Sequence, residues 1–358
     1  MNDIPYLYVF GGTPLKKALV FIIILSFLFS FTGCKEEDTR ILKIGLVTLA
    51  SANDNALTKE ILNSLEEASM QYGCSYEHYK VDGQDYTFDS IAYLYEHGCR
   101  IIIATEYSFS SAIKTAQKEY TDCIFICLGF ALANPADNTI NITFSDHEAG
   151  FIAGIAAALK LQNGKVGGIF GMDIPSARRY SNGFTFGISY ANQQLGTSVT
   201  INESDVIFIG SYNDPKLAKK LADDLYNSEV KCILTDGGNT SNGVLQSAKA
   251  LRSQYPDIWV IGTNTDTYQN GLFIDNYSVV LTSAINKYNI VISNIINSYL
   301  NDSIEGGRII NFSMRENAIG LPDNNPNLSS DIFVKCNEVI ELVKEGKIVI
   351  PDTENLLN

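Results

Sequence analysis

Basic residues are the minority in this sequence: 26 lysines and arginines stand against 40 aspartates and glutamates, a formal net charge of −14. That balance removes the positive footprint that nucleic-acid binding needs. Charge of either sign is sparse, at 18% of residues, while 46% are hydrophobic. The chain can therefore build sizeable cores and falls outside the disordered class. Histidine is nearly absent, and His78, His97 and His147 share no metal-ligand spacing. There is no Gly-x-Ser-x-Gly elbow, no Walker loop and no dinucleotide fingerprint. Nor does a nucleophile–base pair or a matched carboxylate pair stand out, so the expectation is a non-enzyme with neither metal nor cofactor. His147-Glu148 reads simply as a helix start whose Glu148 complements the helix dipole. Short-period repeats and low-complexity linkers are also missing, and 358 residues allow two domains of ordinary size.

The N-terminus carries an apolar run, Ala18 to Phe31, that is too short to span a bilayer. Lys16-Lys17 precede it, and Thr32-Gly33-Cys34 and the charged KEEDTR follow. This order describes a cleaved export signal over residues 1–33, with a short retained anchor as the alternative. Phe31-Thr32-Gly33-Cys34 resembles a bacterial lipobox, which makes Cys34 the expected lipidation site. Residues 1–14 fit no part of a signal, and translation starting near Leu15 would explain them. Among the other cysteines, Cys99, Cys123, Cys127 and Cys232 lie in or beside apolar strand-like runs and are expected as buried thiols. Cys74 and Cys336 are less clear, and no tight disulfide framework appears.

Strand-like and helix-like stretches alternate along the rest. Strands are predicted at Ile41–Leu49, Cys74–Val81, Cys99–Ala104, Cys123–Phe130, Thr139–Phe144, Lys165–Gly171, Asp205–Gly210, Lys231–Thr235, Trp259–Gly262 and Ser278–Ala284. Helices are predicted at Leu57–Tyr72, Asp89–His97, Ser110–Tyr120, Glu148–Leu161, Pro215–Ser228, Ser241–Ser253 and Tyr288–Leu300, with another capped by Ser176. Asp214 caps the helix that opens at Pro215. The alternation predicts an α/β protein of parallel sheets with helices on both faces. In such sheets ligands bind at the carboxyl edge.

The segment GKVGGIFGMDIPSARRYSNGF (residues 164–184) resembles the matching part of the basic membrane protein family, lipoprotein binding subunits of ABC importers, several of which bind purine nucleosides. The resemblance continues in order through Gly210–Tyr226, Asp236–Leu251, Trp259–Asp266 and Val279–Lys287. It implies a type I periplasmic-binding-protein fold: two doubly wound parallel-sheet lobes joined by crossing strands. On that template one lobe takes 40–143 plus 267–303, and the other takes 144–266 plus 304–351.

The resemblance also implies site residues at the strand ends. Asn53-Asp54 occupy the family's ligand-contacting loop, and the carboxylate can accept from a base N–H or from ribose hydroxyls. An aromatic commonly follows; here Leu57 stands there. After the third strand, Tyr107 and Ser108 read equally as ligand contacts or as a capped helix entry. Tyr180, an aromatic position of the family's Arg-Arg-Phe segment, is the stacking candidate, while Arg178 and Arg179 near that helix start read as solvated charges, with attraction of an anion as the alternative. Asp236 replaces a usually small residue, and Gly237-Gly238 read equally as permitting close backbone approach to a ligand or as forming a tight turn. Asn264 replaces an aspartate that would accept from ribose, with Asp266 two residues on. Lys287 lies near a basic family position, or is simply solvated.

The expected function is a lipid-anchored, extracytoplasmic, monomeric binding protein. It would close on a small polar-aromatic ligand, a purine nucleoside by resemblance, and hand it to a membrane permease. The alternatives are a surface receptor feeding a signalling partner, a same-fold binder of another metabolite, and, least favoured, a nucleoside-processing enzyme.

Overall fold

The computed structural model describes residues 41–49, 56–82, 87–274 and 277–352. Its elements, in chain order, begin with β1 (Lys43–Leu49), α1 (Ala56–Tyr72), β2 (Ser75–Val81), α2 (Thr87–Glu96), β3 (Ile101–Ala104), α3 (Ser110–Glu119), β4 (Ile124–Leu128) and β5 (Thr139–Phe144). Then come α4 (Asp146–Leu161), β6 (Asn163–Phe170), α5 (Pro175–Gln194), β7 (Ser198–Thr200), β8 (Val206–Phe208), α6 (Pro215–Asn227), β9 (Val230–Asp236), α7 (Ser241–Leu251) and β10 (Trp259–Asn264). The chain continues through β11 (Leu272–Ile274), β12 (Tyr277–Ser278), β13 (Val280–Asn286), α8 (Tyr288–Leu300), β14 (Arg308–Phe312), β15 (Ile319–Gly320) and α9 (Ser330–Lys344).

Two large sheets result. The first runs β14-β5-β4-β3-β1-β2, and the second runs β15-β13-β10-β9-β6-β7 with β8 also on β6. All of their pairings are parallel except β13 with β15. Within each, the consecutive strands of one winding follow the doubly wound order 2-1-3-4-5, which puts the topological switch point at β1/β3 in the first and β6/β9 in the second. Side chains alternate between faces as the strand period of two requires. Ile101, Ile103, Ile126 and Leu128 join one core, and Ile102, Ala104, Phe125 and Cys127 join another with the inner faces of α2 and α3. The second sheet repeats this, with Cys232, Leu234 and Ile261 on one side and Ile233 and Val260 on the other. Helices therefore cover both faces, as predicted.

Sheet membership corrects the expected lobe division. β13 pairs with β10 in the second sheet, so residues 280–286 do not belong with the first lobe. β14 pairs with β5 in the first sheet, so residues 308–312 do not belong with the second. The chain crosses between the units after β5, after β13 and after β14. Parallel pairing is non-local, and a strand's own residues do not name its neighbour.

The α4–α5 contact fixes the site from behind. α4 is small and apolar through most of its length and is almost wholly buried. A Cβ at Gly150 would lie 2.1 Å from Tyr180 O, and one at Gly154 would lie 2.4 Å from Phe184 O. Reciprocally, a Cβ at Gly183 would lie 2.1 Å from His147 O, and one at Gly187 would lie 2.2 Å from Phe151 O. Two glycines four residues apart on each helix thus let the backbones touch. α5 begins at Pro175 with Ile174 at the cap position, so Ser176 is inside the first turn rather than capping it. Asp214 does cap α6, accepting from Leu217 N at 2.9 Å.

Candidate functional site

The carboxyl edges of the two sheets come together around Tyr288, which opens α8 just beyond a crossing. Its buried hydroxyl is surrounded by Asn286, Asp146, Asp236 and Glu60. Burial, followed by the charges of Glu67 and of Asp266 after β10, raises the Glu60 carboxyl on α1. Groups from both units therefore converge on one region.

Its centre is a hydrogen-bonded polar chain. Asn264 sits at φ 66°, in the left-handed region that asparagine tolerates better than most residues. Its Oδ1 accepts from Tyr180 OH at 3.2 Å and from Asn286 Nδ2 at 3.1 Å. Its Nδ2 donates to Asp236 Oδ1 at 3.1 Å, which also accepts from Thr263 Oγ1 at 2.8 Å. Burial raises the Asp236 carboxyl against these two donors. Asn286 is 3% exposed, and its own Oδ1 has no hydrogen-bond partner among the described residues.

Behind this chain, Asp146 opens α4 and pairs with Arg179 at 3.0 Å. Burial pushes the Asp146 carboxyl up to about 7, with Arg179 opposing and Asp236 and Asp352 adding to the rise. Arg178 pairs with Asp173 at 2.6 Å, so both arginines of this turn have carboxylate partners.

Tyr180 departs from its expected use. Its ring is 2% exposed and packed in the core, so no face is offered for stacking; the hydroxyl is what reaches the polar chain. An open aromatic at the second sheet's edge is Tyr212, at 45% exposure, a residue that sequence reasoning passed over inside a matched segment. A Cβ at Gly171 would lie 2.6 Å from its ring, and Gly238 borders it, so glycines form the floor beneath it at the β6/β9 switch point. Burial and the Asp236 charge raise its phenol. The paired glycines and the turn-forming Ser-Tyr-Asn-Asp-Pro run were the available signal.

On the first sheet, Tyr107 is exposed and meets Phe130 edge-on at 6.1 Å. At the end of β3, Ser108 Oγ is buried without a hydrogen-bond partner among the described residues, and the Thr105 hydroxyl faces the Glu106 carboxylate. Glu106, whose carboxyl is raised by burial, was also passed over. Gly238 is exposed at φ 54°, Asp266 is exposed and accepts from Tyr268 N at 2.9 Å, and Lys287 faces Asp323 at 3.8 Å. Leu57 packs against the core. Asn53, Asp54 and Cys34 lie outside the described residues.

This geometry joins two doubly wound sheets whose polar strand ends meet at chain crossings. The family model for ABC transporter substrate-binding proteins of the PnrA-like Bmp type matches residues 41–354. The chain belongs to the Bmp family. As such it is a substrate-binding protein of an ABC transporter and not an enzyme, which implies a small-molecule ligand, a permease partner and work outside the cytoplasm. Among its relatives, a CD4+ T-cell-stimulating antigen of Listeria monocytogenes is 26% identical over 70% of each chain. The ABC transporter nucleoside-binding protein BmpA of Lactococcus lactis is 24% identical over 94% of this chain and 99% of its own. A solute-binding protein of an ABC transporter system from Aeropyrum pernix superposes with a TM-score of 0.67 at 18% identity, covering 87% of this chain and 94% of its own. That likeness supports the type I periplasmic-binding-protein fold.

Proposed function

We propose that this Bmp-family protein binds a purine nucleoside between the carboxyl edges of its two sheets and delivers it to its permease. The observation that carries the reading is Tyr212: an exposed ring on a glycine floor, beside the Asp236–Asn264 pair, at a topological switch point. A flat base stacks on such a ring, and the neighbouring acceptors suit its sugar or its N–H groups. The Lactococcus relative, named as nucleoside-binding, supports the same class. Tyr107 and Ser108 would contact the ligand from the first sheet, joined by Asn53 and Asp54. Gly238, Asp266 and Lys287 would border it on the other side. Tyr180 would act through its hydroxyl, by holding Asn264.

The anchor belongs to the same reading. Cys34 would carry lipid after removal of residues 1–33, and two or more acyl chains are needed for stable attachment. Detergent-phase partitioning should vanish in Cys34→Ser. Native mass spectrometry of the protein purified from its cells tests the ligand class: a co-purifying mass of a purine nucleoside is expected, and a non-aromatic metabolite in its place would overturn the reading.

A further inference from the structure

The hydrogen-bond capacity of Asn264 is fully used. An amide oxygen accepts two hydrogen bonds, and both come from Tyr180 and Asn286. An amide nitrogen donates two, and these go to Asp236 Oδ1 and, at 3.4 Å, to Thr263 Oγ1. Nothing remains on Asn264 for a ligand. Asp236 is in the opposite state. Two donors crowd its Oδ1, while Oδ2 accepts none from the described residues. The residue is half-buried between the buried Thr235 and Gly237, at the end of β9 and next to Tyr212. The nine-tenths-buried Asn286 adds a second acceptor to the same chain, its Oδ1, which has no partner among the described residues.

We propose that Asp236 is the specificity-determining acceptor of this site, with Asn264 as its positioning residue, and that Asp236 Oδ2 takes a hydrogen bond from a ligand donor beside the stacked ring. This rests on the nucleoside reading, and the donor is either a ribose hydroxyl or a ring N–H. Arg179 does not neutralise Asp236, because it pairs with Asp146. An anionic group at this place would meet the Asp236 carboxylate, which has no cationic partner among the described residues, so the site takes nucleosides and turns away their phosphates.

Facing Asp236 are Thr263 and Asn264 on β10, Tyr180 on α5, Tyr212 in the loop before α6, Asp146 on α4 and Tyr288 on α8. Burial favours the protonated acid against the Thr263 and Asn264 donors, so wild-type affinity falls as pH drops through the raised Asp236 value. Asp236→Asn keeps the shape but turns a donor toward the ligand.

The test compares wild type with Asp236→Asn and Asn264→Ala by calorimetry, using inosine, 2′-deoxyinosine and purine riboside. A thermal melt confirms that each variant is folded. Asp236→Asn is expected to bind inosine at least tenfold more weakly and to lose the acid-side pH dependence. If a hydroxyl is the donor, 2′-deoxyinosine binds wild type weakly and the variant no longer discriminates against it; if a ring N–H is the donor, purine riboside behaves that way. Asn264→Ala should shift the pH midpoint, which a merely structural role would not. Equal inosine affinity in wild type and Asp236→Asn overturns the proposal and leaves the nucleoside reading intact. If wild type binds no nucleoside, that reading fails, and both chains are then screened by thermal shift against neutral sugars and heteroaromatic amines. A hit lost in Asp236→Asn upholds the assignment; hits shared by both chains, or none, overturn it.

Discussion

Gly150 and the Tyr180 carbonyl are in backbone contact: a Cβ on Gly150 would sit 2.1 Å from that oxygen. The same turn of α5 carries Arg179 to Asp146 and the Tyr180 hydroxyl to Asn264. Close packing behind the site therefore sets the position of its polar chain. Gly150→Ala should force the helices apart and destabilise the protein by about 1–3 kcal/mol or more. Denaturant unfolding checks the loss, and a variant as stable as wild type would contradict the packing account.

Tyr180→Phe keeps the packed ring and deletes one donor to Asn264 Oδ1. The remaining donor from Asn286 limits the damage, so a stability loss of about 1 kcal/mol is expected. Tyr212→Ala should instead leave stability nearly unchanged and weaken a stacked ligand by about 1 kcal/mol, roughly a factor of five. The reverse pattern, with ligand affinity tracking the Tyr180 ring alone, would restore Tyr180 as the stacking group.

Much of this was legible locally. Continuous apolar runs such as Ile101–Ala104 identified central strands, and Asp214-Pro215 marked a helix start, because each depends on near neighbours in sequence. The lobe division was not legible, since β13 and β14 gain their sheets from distant partners. Tyr180 was misread for the same reason: α4 and β10, both remote in sequence, decide that its ring is buried. The helix α9 was overlooked although its signal is present. Ser329 caps it, accepting from Ile332 N, and Cys336 and Val339 give its buried face a helical spacing.

Stability should depend on pH through Asp146. Its folded-state value of about 7 lies above the ordinary aspartate value of roughly 4. Between these two, the folded protein holds a proton that the unfolded chain has released, so stability falls as pH rises across that window. Above it, both states are ionised and the loss is complete. Asp146→Asn should flatten this part of the profile in urea titrations from pH 4 to pH 8; an unchanged slope would show that Arg179 already keeps Asp146 ionised.

The cysteines should be silent in the native protein. Cys74, Cys99, Cys123, Cys127, Cys232 and Cys336 are all buried and unpaired. Burial raises their thiols, Cys99 to about 11 and Cys127 and Cys336 to about 12, so little reactive thiolate exists at neutral pH. A thiol reagent should label these six only after unfolding, and mass spectrometry would reveal any that reacts in the folded state.

The central claim, a nucleoside held between two strand-end surfaces, is tested most directly by calorimetric titration of ligand-stripped protein with inosine, guanosine and adenosine. Saturable one-to-one binding of at least one of them is expected, weakened in Tyr212→Ala. No heat from any of the three at millimolar concentration, with a different metabolite recovered from the untreated protein, would contradict it.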